Sequence, residues 1–185
     1  MSIDRTRQRG WTLVEMMVTV AIFSIASLAL ATLFLFSVRS FAAMANYAQL
    51  DQQNREAMDR LTREIRQARE VTSFSTNPPT ITILNGDSET VTYSFDPFLR
   101  QLRRTAGGVS EIMLTNCNLL NFHLYQRNPS NANYGVYPVA SGNWQSSVKV
   151  IELTWKTSKT LNPSTRINSE NVQTARIVIR KQQDN

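Results

Sequence analysis

Residues 11–38 read WTLVEMMVTVAIFSIASLALATLFLFSV, and no other part of the chain constrains the structure as strongly. Glu15 is the only charged residue, and the 23 residues from Met16 to Val38 contain no charge, Gly or Pro. A helix of that length spans about 35 Å at about 1.5 Å per residue, enough to cross a hydrocarbon layer of about 30 Å. A core helix of a soluble protein rarely runs so far without a polar face. The stretch therefore predicts a transmembrane helix.

The segment before this helix is short and basic, MSIDRTRQRG, with three arginines against one aspartate. Because positive charge beside a membrane helix stays in the cytoplasm, we expect the N-terminus there and everything after residue 38 outside. A cleaved secretory signal peptide is the first alternative, with Ala42–Ala45 as its small-residue site. Its apolar core would be shorter, and the helical pattern continues through the alanines. We therefore expect the apolar helix to be retained.

Glu15 is the anomaly of the apolar stretch. A carboxylate inside a membrane segment is costly unless it lies at headgroup depth or pairs with a cation. The arginines lie on the other side of Gly10, and the helix itself offers no cation nearby. Cleavage after Gly10 would create an amino group on Trp11. That group would supply the missing positive charge, in the same subunit or in a neighbour.

The run RGWTLVE over residues 9–15, followed by MMVTVAIFSIA, resembles the class III signal sequence of type IV pilins and of the pseudopilins of type II secretion. The resemblance covers residues 5 to about 38. It implies cleavage between Gly10 and Trp11 by a membrane-embedded prepilin peptidase, and then N-methylation of Trp11. It also implies that Glu15 neutralises the amino terminus of an adjacent subunit and guides assembly. The family usually has Phe in place of Trp11, a departure that bears on methylation more than on cleavage.

The helical pattern continues beyond the membrane, because no Gly occurs between Gly10 and Gly86 and no Pro before Pro78. Apolar residues share one helical face in two groups: Phe41, Met44 and Ala48, then Met58, Leu61, Ile65 and Ala68. Acids precede bases by four residues on the opposite, solvated face: Asp51 with Arg55, Glu56 with Arg60, and Asp59 with Arg63. These patterns predict one helix over residues 11–70, about 90 Å long. Its first half must be covered by lipid or by other copies of the helix.

After residue 70 the pattern changes to short alternating segments. Asn77-Pro78-Pro79 ends the helical region, and Asn85-Gly86-Asp87 is a turn between two alternating runs, which predicts a hairpin. The predicted strands are 80–84, 89–95, 98–104, 119–126, 148–157 and 172–181. Loops rich in Asn, Ser, Pro and Gly separate the last three at 128–146 and 158–171. The sequence predicts an α+β fold with an antiparallel sheet on the outer half of the long helix, which matches the pilin fold.

The order of these segments carries a second, looser resemblance. The runs YSFDPFLRQLRRT, SEIMLTNCNLLNFHLYQ, VKVIELTWKT and TARIVIRK are similar in order to the strands of W-type minor pilins and of J-type minor pseudopilins of type II secretion. This likeness is a pattern of strands and not a fixed motif. It implies a low-abundance subunit that starts or tips a filament. The lack of the paired cysteines common in major pilins agrees with it.

The composition excludes most catalytic and metal-binding chemistry. The chain has one cysteine, Cys117, and one histidine, His123, which excludes an internal disulfide framework and Cys-cluster or His-rich metal sites. No nucleotide-binding loop, HExxH or GxSxG motif occurs. We expect a buried free thiol at Cys117 and a surface or hydrogen-bonded imidazole at His123. We expect no enzyme activity, no metal and no cofactor.

Nucleic acid is the remaining ligand class that the charge suggests, since 20 Lys+Arg against 14 Asp+Glu give a formal charge of +6. The densest basic cluster of the predicted head consists of Arg100, Arg103 and Arg104. The candidates for stacking on bases are Tyr93, Tyr134, Tyr137 and Trp144. Without residues 1–10 the charge falls to +4. We therefore expect a mildly basic outer surface and keep DNA binding as an alternative only.

Together these patterns predict a cleaved basic leader (1–10), a transmembrane or filament-core helix (11–38), its amphipathic continuation (39–72) and an extracytoplasmic β-rich head (73–185). The expected function is that of a minor type IV pilin or pseudopilin, a non-catalytic inner-membrane subunit that primes or tips a pilus or a type II secretion pseudopilus. The expected partners are other pilins or pseudopilins, the prepilin peptidase and the inner-membrane assembly platform. The alternatives are a signal-anchored extracytoplasmic binding protein and a DNA-binding minor pilin for DNA uptake.

Overall fold

The computed structural model describes residues 10–128, 135–139, 142, 144–162 and 167–180. Within these ranges the elements, in chain order, are α1 (Leu13–Gln67), β1 (Glu70–Thr76), β2 (Pro79–Leu84), β3 (Thr90–Asp96), β4 (Gln101–Ala106), β5 (Val109–Leu114), β6 (Cys117–Arg127), β7 (Val136–Pro138), α2 (Trp144–Ser147), β8 (Val148–Asn162) and β9 (Ile167–Val178). The chain divides into two compact units, Met1–Ala42 and Ala43–Asn185. The predicted α+β class, one long helix with antiparallel sheets, is confirmed.

The described part of the first unit is the apolar start of α1. Its large apolar side chains are exposed to solvent, as Trp11 at 72% and Phe36 at 71% illustrate. The best 18-residue window of α1 has a mean hydropathy of 2.4 and is not buried at all by the chain. The hydroxyl groups of Thr19, Ser24 and Thr32 donate to carbonyl oxygens of the preceding turn, as Ser24 Oγ does to the Val20 carbonyl at 2.7 Å. This surface therefore requires cover from lipid or from another protein.

The long helix ends at Gln67, before residue 70, where the helix was expected to end, and before residue 72, the predicted end of its amphipathic segment. The chain enters β1 at Glu70. The change of direction lies at Arg69, whose N–H donates to the carbonyl of Leu84 at 2.8 Å and so starts the first sheet. The prediction of helix up to residue 72 is wrong here, because β1 pairs with β2 from Glu70 to Thr76, with a register shift between Val71 and Ser73.

The strands form two antiparallel sheets where one was predicted. The first sheet is a meander in the order β1-β2-β3-β4-β5, and the second has the order β7-β6-β8-β9. The predicted hairpin of β2 and β3 is confirmed, with Ile81 opposite Tyr93 and Ile83 opposite Val91. These apolar residues alternate with threonines, so one face of the hairpin is buried.

One further strand prediction and two loop predictions require correction. The segment 98–104 begins with a turn, and β4 starts only at Gln101. The predicted loop 158–171 is largely strand, because β8 continues to Asn162 and pairs with β9. The predicted loop 128–146 contains the short strand β7, which pairs with β6. The polar residues of 158–162 and 167–171 that suggested a loop thus lie on paired strands, whose backbone pairing does not require apolar side chains.

The hydrophobic core lies between α1 and both sheets. The second predicted helical stripe is confirmed, since Leu61 and Ile65 are fully buried, Ala68 follows them into the core and Met58 packs against its edge. The largest side chain that the sheets contribute is Trp155 of β8, also fully buried. The first stripe behaves differently, since Phe41 and Met44 are exposed at 68% and 69%.

A buried asparagine joins α1 to the second sheet. Asn54 accepts a hydrogen bond from Trp155 Nε1 at 2.7 Å and donates to Thr157 Oγ1 at 2.8 Å. It also donates to the carbonyl of Leu50 one turn back, at 2.7 Å. Asn54, Trp155 and Thr157 are all buried, so these bonds fix the position of the helix along β8 and satisfy an indole N–H that would otherwise be unpaired.

Candidate assembly site

The first turn of α1 is closed by a capping box. Thr12 Oγ1 accepts from the N–H of Glu15 at 3.3 Å, while Glu15 Oε2 accepts from Thr12 N–H at 2.8 Å and from Thr12 Oγ1 at 2.9 Å. The spacing Thr-x-x-Glu is the usual signal for this arrangement at a helix N-terminus. The sequence carries this signal, but the prediction for Glu15 rests on its charge and membrane depth and does not include the cap.

The capping box gives Glu15 polar partners but no neutralising charge. Within the described residues, no cation pairs with its carboxylate, and the side chain is exposed. The carboxylate lies at the start of the apolar helix, where the positive end of the helix dipole favours a negative charge. A cationic group arriving at this point would find an exposed carboxylate already held in one orientation.

Gly10 and Trp11 lie outside the helix, immediately before this cap. Trp11 is 72% exposed, and a side chain added at Gly10 would meet no atom within 4 Å. The peptide bond between them is therefore accessible in this structure. The roles that the sequence predicts for these two residues and for Glu15 stay predictions.

The three arginines singled out for nucleic acid do not form one surface. Arg103 and Arg104 are neighbours on β4, so they point to opposite faces of the sheet. Arg103 bonds to Gln101 Oε1 at 3.0 Å, whereas Arg100 donates to the carbonyl and Oγ of Ser158 at 3.1 and 3.2 Å. Contact of these residues with nucleic acid stays an untested prediction, and their separation gives it no support.

Arg104 belongs to an ionic cluster between α1 and the first sheet. Its Nε donates to Glu64 at 2.8 Å and its Nη1 to Glu111 at 3.0 Å. Arg60 donates to the same two carboxylates, at 3.2 Å and 2.5 Å. Tyr93 adds a short hydrogen bond to Glu64. The predicted Glu56 pair of Arg60 is thus wrong, whereas Asp51 and Arg55 do pair, at 2.8 Å.

The cluster shifts the pKa values of its members. Burial by itself raises the pKa of Glu64, but the hydrogen bonds from Arg104 and Tyr93 and the charge of Arg104 outweigh it, so the pKa lies below its usual value. Burial, and next the hydrogen bond to Glu64, raise the pKa of Tyr93. Glu64 is therefore ionised and Tyr93 neutral near neutral pH, as the direction of their hydrogen bond requires.

The remaining candidate residues show no catalytic arrangement. Cys117 is a buried free thiol, as predicted, and burial raises its pKa to about 11. His123 lies exposed on β6 opposite Glu152. Among the described residues, no group of His, Cys, Asp and Glu has a geometry that would hold a metal ion. Of the proposed stacking residues, Tyr93 is buried and Tyr134 lies outside the described residues.

Comparison with known proteins identifies the N-terminal segment. Residues 5–31 match the family model described as the prokaryotic N-terminal methylation motif, a range that includes the bond after Gly10 and all of the capping box. No curated protein and no solved structure matches the chain significantly. Among the described residues, one apolar helix is long enough to cross a membrane. Together with the motif, it supports a type IV pilin-like protein that is anchored in a membrane by this helix.

Proposed function

We propose that this chain, whose residues 5–31 match a prokaryotic N-terminal methylation motif that includes the start of the apolar helix α1, is a minor type IV pilin or pseudopilin. It is a non-catalytic structural subunit that primes or tips a type IV pilus or a type II secretion pseudopilus. The motif at residues 5–31 is the observation that carries this proposal. The minor role is supported by the looser strand-order resemblance to W-type minor pilins and J-type minor pseudopilins.

The first step of this function is processing at the membrane. A prepilin peptidase cleaves between Gly10 and Trp11, and the new amino group on Trp11 is methylated. The geometry supports this step, because the bond is exposed and lies outside the helix. The protein begins in the inner membrane, with the N-terminus cytoplasmic and the head extracytoplasmic. It then moves into the filament, at or near its tip.

The second step is assembly through α1. The exposed apolar side chains before residue 38 exchange lipid for the helices of other pilins or pseudopilins on the inner-membrane assembly platform. Glu15 receives the amino terminus of an adjacent subunit. The capping box supports this role, because it holds the Glu15 carboxylate at the start of the helix with no cation beside it among the described residues.

Co-expression with a prepilin peptidase tests the proposal. We expect the full-length chain to lose ten residues in membranes that contain the peptidase, and to stay intact in membranes that lack it. Gly10→Val is the informative variant, because the side chain it adds meets no neighbour and the fold should not change. We expect this variant to stay uncleaved, whereas the matched change Thr19→Val, within the apolar helix, should be cleaved normally.

Two outcomes would favour the alternatives instead. An intact N-terminus in the presence of the peptidase, with location and complexes unchanged in Glu15→Ala, would indicate a signal-anchored binding protein. Binding to DNA that is lost on mutation of Arg100, Arg103 and Arg104 to alanine, with a steep salt dependence, would indicate a DNA-uptake subunit.

A further inference from the structure

A cleft in the head lies between the first and the second sheet. Its volume is about 260 Å³, and it is bounded by the end of β1, the start of β2, the middle of β6 and the start of α2. The apolar side chains that line it are Phe74, Phe122, Leu124, Val139 and Trp144. Pockets that enclose drug-sized molecules measure about 300–1,000 Å³. The cleft is smaller, so its size suits one large side chain.

The walls of the cleft are already packed before any guest arrives. Phe74 and Trp144 meet edge to face, with ring centroids 5.3 Å apart and an interplanar angle of 67°. Both pack against the hydrophobic core, to which the buried Phe122 and Leu124 belong. An apolar side chain that enters the cleft therefore meets a preformed surface and orders few protein side chains.

The stretch of β6 that lines the cleft has an open edge. β8 pairs with one side of β6 from Cys117 to Gln126. β7 pairs with the other side only from Tyr125 to Arg127. Within the described ranges, no strand pairs with that second side before Tyr125. The cleft therefore lies beside a strand edge that can accept another strand.

The backbone of Phe122 faces this open edge. In an antiparallel strand the N–H and C=O of a residue point to one side, and the side alternates from residue to residue. The Leu124 carbonyl points away from β8, because it accepts from Val139 N–H at 3.1 Å. Phe122 lies two residues earlier with no register shift between them, so its N–H and C=O point the same way.

The opposite strand gives the same orientation. The Lys149 carbonyl accepts from Ile179 N–H at 2.9 Å, so Leu153, in phase with Lys149, also points to β9. Leu153 lies opposite Phe122, which therefore receives no hydrogen bond from β8. Phe122 is only 4% exposed, and its N–H and C=O have no partner among the described residues. Unpaired backbone groups at so buried a residue are rare and indicate a binding partner.

The open edge and the cleft together match the chemistry of a peptide. The N–H and C=O of Phe122 can pair with the backbone of an extended chain, while the cleft takes one of its side chains. A small apolar molecule would leave both Phe122 groups unpaired. None of the described residues that line the cleft is Lys, Arg, Asp or Glu, so a polyanion such as nucleic acid finds no cation there.

We propose that the head binds an extended, uncharged segment of a partner protein, which adds to the open edge of β6 at Phe122 and buries one large apolar side chain in the cleft. The inference goes beyond the proposed function and does not rest on it. Every residue that carries it lies in the second compact unit, Ala43–Asn185, and none belongs to the methylation motif.

Synthetic peptides test the cleft with the full chain in detergent micelles. The probes are Ac-Ser-Thr-X-Thr-Ser-Lys-NH2, with Phe, Leu, Ile, Trp or Ala at X and a terminal Lys for solubility. Binding is followed by two-dimensional NMR at the Trp144 indole N–H. We expect at least one probe with a large apolar X to bind, and the Ala probe to bind at least about tenfold more weakly. No binding by any large apolar probe would overturn the proposal.

Hydrogen exchange tests the strand addition itself. The best probe should slow exchange of the Phe122 amide at least tenfold, because this N–H gains an acceptor. The Asn121 amide points to β8 and is the internal control, which should change little. The same probe N-methylated at every backbone nitrogen keeps its side chains but has no N–H donors, so it should not bind. Binding of that probe, or unchanged exchange at Phe122, would contradict strand addition.

Thr76→Trp tests the cleft from the side of the protein. Thr76 is exposed at the end of β1 and lines the cleft, so the new indole should fill the cleft without entering the core. We expect at least tenfold weaker binding of the best probe, with an unchanged midpoint of urea unfolding. Phe98→Ala is the matched control, because it alters an exposed aromatic residue outside the cleft and should bind the probe normally. Normal binding by Thr76→Trp, or an equal loss in both variants, would refute the assigned site.

Discussion

Replacement of Asn54 by alanine should destabilise the head more than any other single polar change on α1. The variant loses the hydrogen bonds to Trp155 and Thr157 and leaves the Trp155 indole N–H buried without an acceptor. An orphaned buried donor costs about 1–3 kcal/mol. Alanine returns about 0.6 kcal/mol through its higher helix propensity. Thr157 keeps its bond to the Asn171 carbonyl at 3.4 Å, so we expect a net loss of about 1.5 kcal/mol.

The assay is urea unfolding of the full chain in detergent micelles, followed by near-ultraviolet circular dichroism. Asn121→Ala is the matched control, because Asn121 is exposed on β6, and it should change the free energy of unfolding by less than about 0.5 kcal/mol. Trp155→Phe removes the orphaned donor, so Asn54→Ala should cost much less in that background. A loss below about 0.5 kcal/mol for Asn54→Ala alone would refute the proposed bridge between helix and sheet.

Three further predictions concern the core and the ionic cluster. Leu61→Ala should lower the free energy of unfolding by about 2–5 kcal/mol in the same assay, since Leu61 is fully buried on α1, whereas Leu33→Ala on the exposed apolar stretch should leave it nearly unchanged. The pKa of Glu64 is lowered in the folded state, so the stability that ionised Glu64 contributes is present above about pH 4.5 and is lost as the pH falls through the folded pKa. Glu64→Gln should therefore reduce the loss of stability in acid, measured as the urea midpoint against pH. Cys117, with its pKa raised to about 11, should react with a thiol reagent at pH 8 only after urea unfolding, and rapid labelling of the folded protein would contradict its burial.

The long helix and the β2–β3 hairpin were predictable because their signals are local. The 23 residues from Met16 to Val38 contain neither a charge nor a helix breaker, and Leu61 and Ile65 belong to an apolar stripe at helical spacing. Each of these patterns predicts a helix. The hairpin is predicted by the alternation of Ile81 and Ile83 with polar residues on β2 and by the turn at Gly86. Both signals come from neighbouring residues. Secondary structure of this kind needs no knowledge of distant parts of the chain.

The division of the strands into two sheets was not predictable, because it depends on pairing between distant residues. β1 and β5 carry weak alternation and become strands by pairing with the stronger β2 and β4. The polar ends of β8 and β9 are held by each other, for example Lys159 opposite Ser169. The local sequence of these polar ends favours a loop, but pairing between β8 and β9 makes them strands.

Some features of the candidate site were likewise predictable from neighbouring residues, and others were not. Gly10, Trp11 and Glu15 follow from a motif of adjacent residues, and the family comparison covers that motif. The Thr12 cap was readable from the Thr-x-x-Glu spacing but was missed. The engagement of Arg104 by Glu64 was not readable, because 40 residues separate the two in sequence and only the packing of β4 against α1 brings them together.

The most direct test of the central claim is the mass of the N-terminal peptide of the protein purified from its native membranes. We predict a peptide that begins at Trp11, with or without one added methyl group. That result would establish processing after Gly10 and support assembly into a filament. A peptide that begins at Met1 or Ser2 would contradict the account and leave a signal-anchored protein, and one that begins near Ala45 would mean ordinary secretion with no role for Glu15.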